Sequence, residues 1–492
     1  MNLREKIGQM FEVAIRGGEP LDEVLRHVRE NHVGGVIWFQ ATSHEAAAAN
    51  ARLQTAARIP LLISADLEMG MGMRFTDTAW WPPAMAIAAT GDASLAEEQG
   101  RATARAALAI GVNHVLAPVA DVNVDPRNPV INTRSFGEDP HEVARYVQAF
   151  VRGVQEAGAL ATAKHFPGHG DTHVDSHRAL PVLNVTRERL DAVELVPFRA
   201  AIEAGVGSIM IGHLSVPSLD PAPVPVRAEF ENVYGTHSDE VTHRGTMPAT
   251  LSRPVITDLL RGELGFTGLV ITDSMDMGGL AAHFDAGEAA VRAIEAGEDQ
   301  ILYSTDTDAA IAAVIAAVES GRLTESRIDA SVERILAAKR KIGGSSPHVD
   351  DGMRASEAAE RSIALFCDRK RLLPLQGGVA VRLFGDDPFI PELQTLASTD
   401  SLGSAATIIL FLGIRPRSGA GHLNVPSDAL AIAERFADKV VAVSLGSPYI
   451  VRDLPDVGTF VCAWGVQPVM QRAVLRALRG EIAMTGRVPV TI

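Results

Sequence analysis

The stretch LATAKHFPGHGDTHVDSH, residues 160–177, decides how the chain is read. Leu160 to Ala163 is short, small and apolar, the end of a buried strand. Lys164 to His177 then carries four histidines, two aspartates and one lysine in fourteen residues. Gly168 and Gly170 lie among them and exclude a regular helix. A strand therefore ends at Lys164 and His165, and a polar loop follows. So many titratable groups on one loop point to chemistry rather than to surface.

Outward from this stretch, short apolar runs alternate with longer helical patterns as far as residue 340. Strands are expected at Gly35 to Phe39, Pro60 to Ala65, His114 to Val119, Leu160 to Ala163, Ser208 to Ile211, Leu269 to Thr272 and Asp299 to Tyr303. They are continuous apolar runs, as parallel strands buried on both faces require. Between Pro140 and Ala157, Val143, Val147, Phe150, Val151 and Val154 recur at helical spacing, behind an Asp139 N-cap and an N1 proline. Strand and helix in alternation build βα units. Seven strands, with an eighth expected between Asp220 and Ala249, predict an α/β fold of the (β/α)8 TIM-type barrel kind over residues 1–340. No Gly-x-Gly-x-x-Gly follows the first strand, which argues against a dinucleotide fold. Residues 341–352 are Gly-, Ser- and Pro-bearing and are read as a linker. A second, smaller α/β domain is expected over 353–492, with strands at Val379 to Phe384, Thr407 to Leu412, Val440 to Leu445 and Thr459 to Ala463.

The polar signals fall after the strands: Asp66 and Glu68, Asp121 and Asn123, Lys164 to His177, His213, and Asp273. That is the barrel face that carries chemistry. The bulk composition narrows the partners. A net charge of −15 argues against nucleic acid and anionic membranes, without excluding a local cationic pocket. Two cysteines, Cys367 and Cys462, imply no disulfide framework. Charges occupy the N-terminus where a signal peptide needs an apolar core, and no apolar run approaches the ~18 residues of a membrane span. A soluble, cytoplasmic protein is expected.

Each cluster has more than one reading. His169, Asp171, His173, Asp175 and His177 alternate, which would suit a metal site in a barrel hydrolase. Alternatively Asp175 orients His177 for proton transfer, while Asp171, Thr172 and His173 only shape the loop. Asp273 at a strand end is either a nucleophile or a helix N-cap. Arg134 either clamps a ligand or pairs with Glu138. Asp66 and Glu68 could accept hydrogen bonds from vicinal hydroxyls, and Trp80 and Trp81 read as packing before sugar platform.

The whole chain, from IGQMF at Ile7 to the terminal GRVPVTI, resembles glycoside hydrolase family 3, and within it the bacterial β-N-acetylglucosaminidases. KHFPGHGDTHVDSH with Leu180 and Pro181 is the most specific piece; NTRSFGEDP, PATLSRPVITDLLRGELGFTG and TDSM match as well. The resemblance implies a barrel followed by an α/β sandwich domain, with no cofactor and no metal. It implies Asp273 as nucleophile, His177 as acid/base paired with Asp175, and sugar contacts from Asp66, Arg134, Lys164, His165 and His213. Cell-wall sugar recycling is the role it suggests. In DLEMGMGMR, Met69 stands where many relatives have glycine, which makes Glu68 and Arg74 weaker inferences than Asp66. The cationic Lys164 and Arg134, with a histidine in place of an anionic acid/base, also leave inorganic phosphate open as the acceptor.

Overall fold

The computed structural model describes residues 1–225, 227, 245–343, 352–417 and 423–492. Eight strands form the first sheet: β1 (Phe11–Ile15), β2 (Gly35–Trp38), β3 (Leu62–Ala65), β4 (His114–Val115), β5 (Leu160–Phe166), β6 (Ser208–Ile211), β7 (Leu269–Thr272) and β8 (Ile301–Leu302). Every neighbouring pair is parallel, in the order β7-β6-β5-β4-β3-β2-β1-β8. A further parallel bridge between Ile271 and Gln300 brings β7 back to β8. The row thus curls into a barrel with helices outside.

The eighth strand corrects the sequence reading. It is β1, at the N-terminus, and not a segment between Asp220 and Ala249, most of which lies outside the described residues. β1 reads FEVAI, and Glu12 breaks the apolar run that would have marked it. Glu12 is nevertheless 1% exposed. It meets residues of other strands across the barrel: Ser64 of β3 donates to Glu12 Oε2 at 2.8 Å, and His114 of β4 stands 3.9 Å from Oε1. Burial pushes the Glu12 carboxyl up to about 8, with the Ser64 hydrogen bond opposing.

The helix Pro140–Glu156 starts as its sequence requires. Asp139 accepts from the N–H groups of His141 and Glu142 at 2.9 and 3.0 Å, and Pro140 fills the first turn. Its apolar stripe, Val143, Val147, Phe150, Val151 and Val154, is buried.

A second sheet has the order β10-β11-β12-β13-β9, with β9 (Ala364–Asp368), β10 (Val379–Phe384), β11 (Thr407–Leu412), β12 (Val440–Ser444) and β13 (Thr459–Cys462). Four strands are parallel; β9 lies antiparallel to β13 on the edge. β9 is not among the strands expected from the sequence, although ALFC is an apolar run; its Leu365 and Phe366 are 40% and 42% exposed at the sheet edge. The core of this sheet takes in Met85, Ala86 and Ala89 from the helix Ala84–Ala89, which belongs to the barrel side of the chain. Asn123 donates to the Tyr449 hydroxyl at 2.8 Å, and the Arg487 N–H to the Ala89 carbonyl at 2.8 Å. The second sheet is thereby fastened beside the loops that follow β3 and β4, at the chemical face of the barrel. The expected linker falls largely on residues outside those described. Among the described residues, no helix is long and apolar enough to cross a membrane.

Candidate active site

A cavity of about 320 Å³ opens at the C-terminal ends of the barrel strands. Asp66, Glu68, Arg74, Arg134, Lys164, His165, His169, His177 and Asp273 all line it. The loops after β3, β4, β5 and β7 therefore converge, as their polar signals suggested.

Its floor is an ion network. Lys164, 1% exposed, places Nζ 2.7 Å from both Asp66 Oδ1 and Glu68 Oε1. Arg134 grips Glu68 with two parallel bonds, Nε to Oε2 at 2.8 Å and Nη2 to Oε1 at 2.7 Å. Arg74 pairs with the other oxygen of Asp66. So Arg134 pairs with Glu68 from the loop after β3, not with Glu138, and both Glu68 and Arg74 belong to the site despite the departure at Met69. Burial alone would raise the carboxyls of Asp66 and Glu68. Lys164 with Arg74 outweighs it at Asp66, and Arg134 with Lys164 holds Glu68 down at about 2. Glu12, more deeply buried and with no close cation beside it among the described residues, only the Ser64 donor and the more distant Lys339, goes the other way. The difference is the neighbouring cation, worth about 4 kcal/mol per close pair at an effective dielectric of about 20. The same two acids hold the Lys164 ammonium above its ordinary value against its burial.

The loop is hung from Asp121, which is fully buried. Asp121 Oδ1 accepts the backbone N–H groups of His165 and His169 at 3.2 and 2.7 Å, and Oδ2 lies 2.8 Å from His165 Nδ1. A carboxylate only accepts, so Nδ1 of His165 carries the proton. Gly170 presses this loop against the next: a Cβ there would lie 1.7 Å from the Val122 carbonyl oxygen. His169 turns both ring nitrogens inward, Nδ1 to Thr172 Oγ1 at 2.8 Å and Nε2 to Ser176 Oγ at 3.1 Å. Because the Thr172 hydroxyl donates to the His169 carbonyl, the ring donates through Nδ1 and accepts at Nε2, a neutral tautomer. Burial pushes it down to about 4, consistent with that form.

The alternating side chains do not converge as a ligand set. His173 is exposed, 3.7 Å from Asp125, and Asp171 pairs with Arg189. Among the described residues, three potential ligand atoms come together only at Glu23, His27 and Asp308, where the Arg26 guanidinium sits between the two acids. Asp175 and His177 form a pair instead: one carboxylate oxygen meets Nδ1 at 2.8 Å and the His177 backbone N–H at 2.9 Å.

Asp273 follows β7 directly. It caps no helix, since the next one, Gly278–Ala281, has Met277 at its N-cap. Its Oδ1 accepts the N–H of Ser274 at 2.7 Å. Burial would raise its carboxyl, but His165, then His213, the Ser274 N–H and His177 bring it below its ordinary value. The segment after it also holds the histidine loop. Gly278 N–H donates to the His177 carbonyl at 3.0 Å and Gly279 N–H to that of Ser176 at 2.9 Å. A side chain at Gly279 would begin 3.0 Å from Ser176 O. The end of the histidine loop is thus tied to the segment that follows Asp273.

His213 stands behind Asp273 and does not line the cavity. It is fully buried, with Nδ1 on Thr250 Oγ1 at 2.7 Å and Nε2 on the Ser274 carbonyl at 2.9 Å. Its reach to a ligand is electrostatic, through Asp273. Trp81 is core, while Trp80 forms part of the wall, its ring over Gly72. The opposite wall comes from the second sheet: Arg415, Pro416, Arg417, Trp464, Gly465 and Gln467. The sequence of the second domain carries no motif that marks this wall. It lacks clustered titratable groups, and only the tertiary fold brings these residues to Met69, 398 positions from Gln467.

Residues 2–338 match the glycosyl hydrolase family 3 N terminal domain, and the chain belongs to this family. It is 31% identical over 540 residues to a protein of Cellulomonas fimi named β-N-acetylglucosaminidase/β-glucosidase, covering 99% of this chain and 93% of that one. Its fold matches the structure of a glycoside hydrolase family 3 β-N-acetylglucosaminidase from Paenibacillus sp. str. FPU-7 with a TM-score of 0.84 at 33% identity, over 100% of this chain and 99% of the other. A β-glucoside phosphorylase matches with a TM-score of 0.88 at 26% identity, over 100% of this chain and 94% of that one.

Proposed function

We propose that the protein is a retaining β-N-acetylhexosaminidase that removes terminal β-linked N-acetylglucosamine, with a barrel over residues 1–340 as its catalytic part and 353–492 as a companion domain. One observation carries this reading: a single cavity holds a buried carboxylate, a carboxylate–histidine pair and an ion network suited to sugar hydroxyls. The names of the relatives support the choice of sugar.

In this reading the sugar lies on Asp66, Lys164 and Arg134, whose charged groups form strong hydrogen bonds with hydroxyls and the acetamido carbonyl. Asp273, kept ionised, attacks the anomeric carbon. The bond to the leaving oxygen breaks as that oxygen takes a proton from Nε2 of His177. A glycosyl ester remains on Asp273. The now neutral imidazole takes a proton from water, whose oxygen attacks the same carbon. The ester opens, Asp273 is regenerated and the configuration is retained. Two thiols and no disulfide suit a cytoplasmic setting, and recycling of cell-wall amino sugars is the role we assign.

The test is product analysis with an aryl β-N-acetylglucosaminide and the matching glucoside. Release of the amino sugar in the β configuration, with the glucoside cleaved much more slowly, is expected. An inverted product sinks the mechanism, and faster glucoside cleavage sinks the substrate assignment.

A further inference from the structure

We propose that Arg415 and Arg417, from the loop after β11, form a subsite at the cavity mouth for an anionic group on the leaving side of the scissile bond. The ligand is an oxyanion: the carboxylate of an acidic leaving sugar, or inorganic phosphate arriving as acceptor. The proposal rests on the glycosidase reading and adds to it a leaving-group preference.

Depth places the subsite. Lys164, His165 and Glu68 on the floor are 1%, 5% and 6% exposed, whereas the Arg415 and Arg417 side chains retain 32% and 34%. A terminal sugar seated on the floor projects its leaving group toward the mouth. Charge gives the chemistry. Five cationic side chains line the cavity, Arg74, Arg134, Lys164, Arg415 and Arg417, against the three acids Asp66, Glu68 and Asp273. Arg74, Arg134 and Lys164 pair with floor acids, so among the described residues the cations that no cavity-lining acid pairs with are the two at the mouth, although the chain carries −15 overall. The positive field is therefore local, where it can act on a bound anion.

The arginines are oriented from behind. Arg415 binds Asp387 with Nε at 2.9 Å and Nη2 at 2.8 Å. Arg417 Nη2 reaches the same carboxylate at 2.8 Å, and Nη1 reaches Asp386 at 3.1 Å. Asp386 is 89% exposed and screens little. One well-held acid thus serves two guanidinium groups from outside the cavity, and each guanidinium carries more N–H donors than these bonds use, which an oxyanion can accept. A second feature of the same wall points to a ligand. Gln467 is 5% exposed and lines the cavity, and its Oε1 is buried without a hydrogen-bond donor among the described residues. A buried amide oxygen of this kind is costly unless something donates to it, and a sugar hydroxyl would.

Two aryl β-N-acetylglucosaminides with leaving phenols of equal acidity, one bearing a carboxylate and one its carboxamide, test the subsite. For the wild type, kcat/KM is expected to favour the carboxylate about tenfold at low salt, through KM. Arg417→Gln is expected to abolish that preference, raising KM for the carboxylate substrate about tenfold more than for the carboxamide, and Arg417→Lys to keep part of it. Equal preference in wild type and Arg417→Gln overturns the proposal. Added phosphate separates the sources. If it competes with the carboxylate substrate and a sugar 1-phosphate appears, both lost in Arg417→Gln, the natural anion is the acceptor. If phosphate has no effect while the preference stands, it is the leaving group. A protein that cleaves neither glycoside refutes the glycosidase reading, and the subsite with it.

Discussion

One oxygen of Asp175 meets two hydrogens of His177, the ring Nδ1–H at 2.8 Å and the backbone N–H at 2.9 Å. The carboxylate is 4% exposed and cannot donate, so the contact fixes both the rotamer and the tautomer of the imidazole. In the proposed reaction Nε2 is the atom that exchanges a proton with a substrate oxygen. His177→Ala should lower kcat by about 10²–10⁴ for an alkyl or sugar leaving group. An aryl leaving group of low basicity departs without a proton, so there the first step should change little and the loss should fall on the hydrolysis of the ester. Asp175→Asn keeps the shape and removes the charge, and should lie between wild type and His177→Ala. Equal losses for basic and acidic leaving groups would assign His177 to binding instead.

Asp273 can be tested apart from proton transfer. Asp273→Ala removes the nucleophile and should abolish turnover, while far-ultraviolet circular dichroism and the melting transition stay near those of the wild type. In His177→Ala, a good leaving group should load the enzyme faster than water unloads it. Intact-protein mass should then rise by one glycosyl unit, mapped to the peptide with Asp273. A mass that never rises, with product still formed, would point to direct displacement by water.

The barrel is legible because its strands are continuous apolar runs closed by polar residues, and Leu160 to His177 shows both halves of that pattern. β1 is not, because Glu12 is polar yet points across the barrel to Ser64. Spacing along the chain shows which loops carry charge but not which charges meet. Arg134 has Glu138 four residues away but finds Glu68, 66 positions back. Asp121, which anchors both His165 and His169, differs in no local feature from a capping aspartate. His213 looks like a site residue by its place after β6, and only the three-dimensional fold shows Thr250 and the Ser274 carbonyl occupying its ring.

The floor network makes Lys164 the costliest residue to change. Lys164→Met would leave Asp66 with Arg74 alone and Glu68 with Arg134 alone, a half-buried and a buried acid each short of a partner. Removing one member of a buried ion cluster costs about 3–5 kcal/mol. The melting temperature should fall and KM should rise. Lys164→Met with Glu68→Gln removes one of the stranded charges and should recover part of the stability, although not the activity. Additive losses in the double variant would show that the two groups do not act as a unit.

Two buried groups, His169 and Glu12, add slopes of opposite sign to the pH dependence of stability. The pKa of His169 in the fold, about 4, lies below its ordinary 6.5, so the unfolded chain binds the proton first. The stability this neutral ring contributes is present above pH 6.5 and lost as pH falls toward 4. Glu12 is raised from 4.5 to about 8, so its contribution is present below 4.5 and lost as pH rises toward 8. Each slope is at most about 1.4 kcal/mol per pH unit, and the two oppose one another between 4.5 and 6.5. Urea unfolding across that window should separate them. Relative to the wild type, His169→Gln should lose stability as pH rises, because the rising His169 slope is removed. Glu12→Gln should gain stability relative to the wild type as pH rises, because the falling Glu12 slope is removed. Lowered Asp66, Glu68 and Asp273 add a common loss below about pH 4 in all three proteins. Parallel profiles for the two variants between 4.5 and 6.5 would show that neither group titrates differently on unfolding.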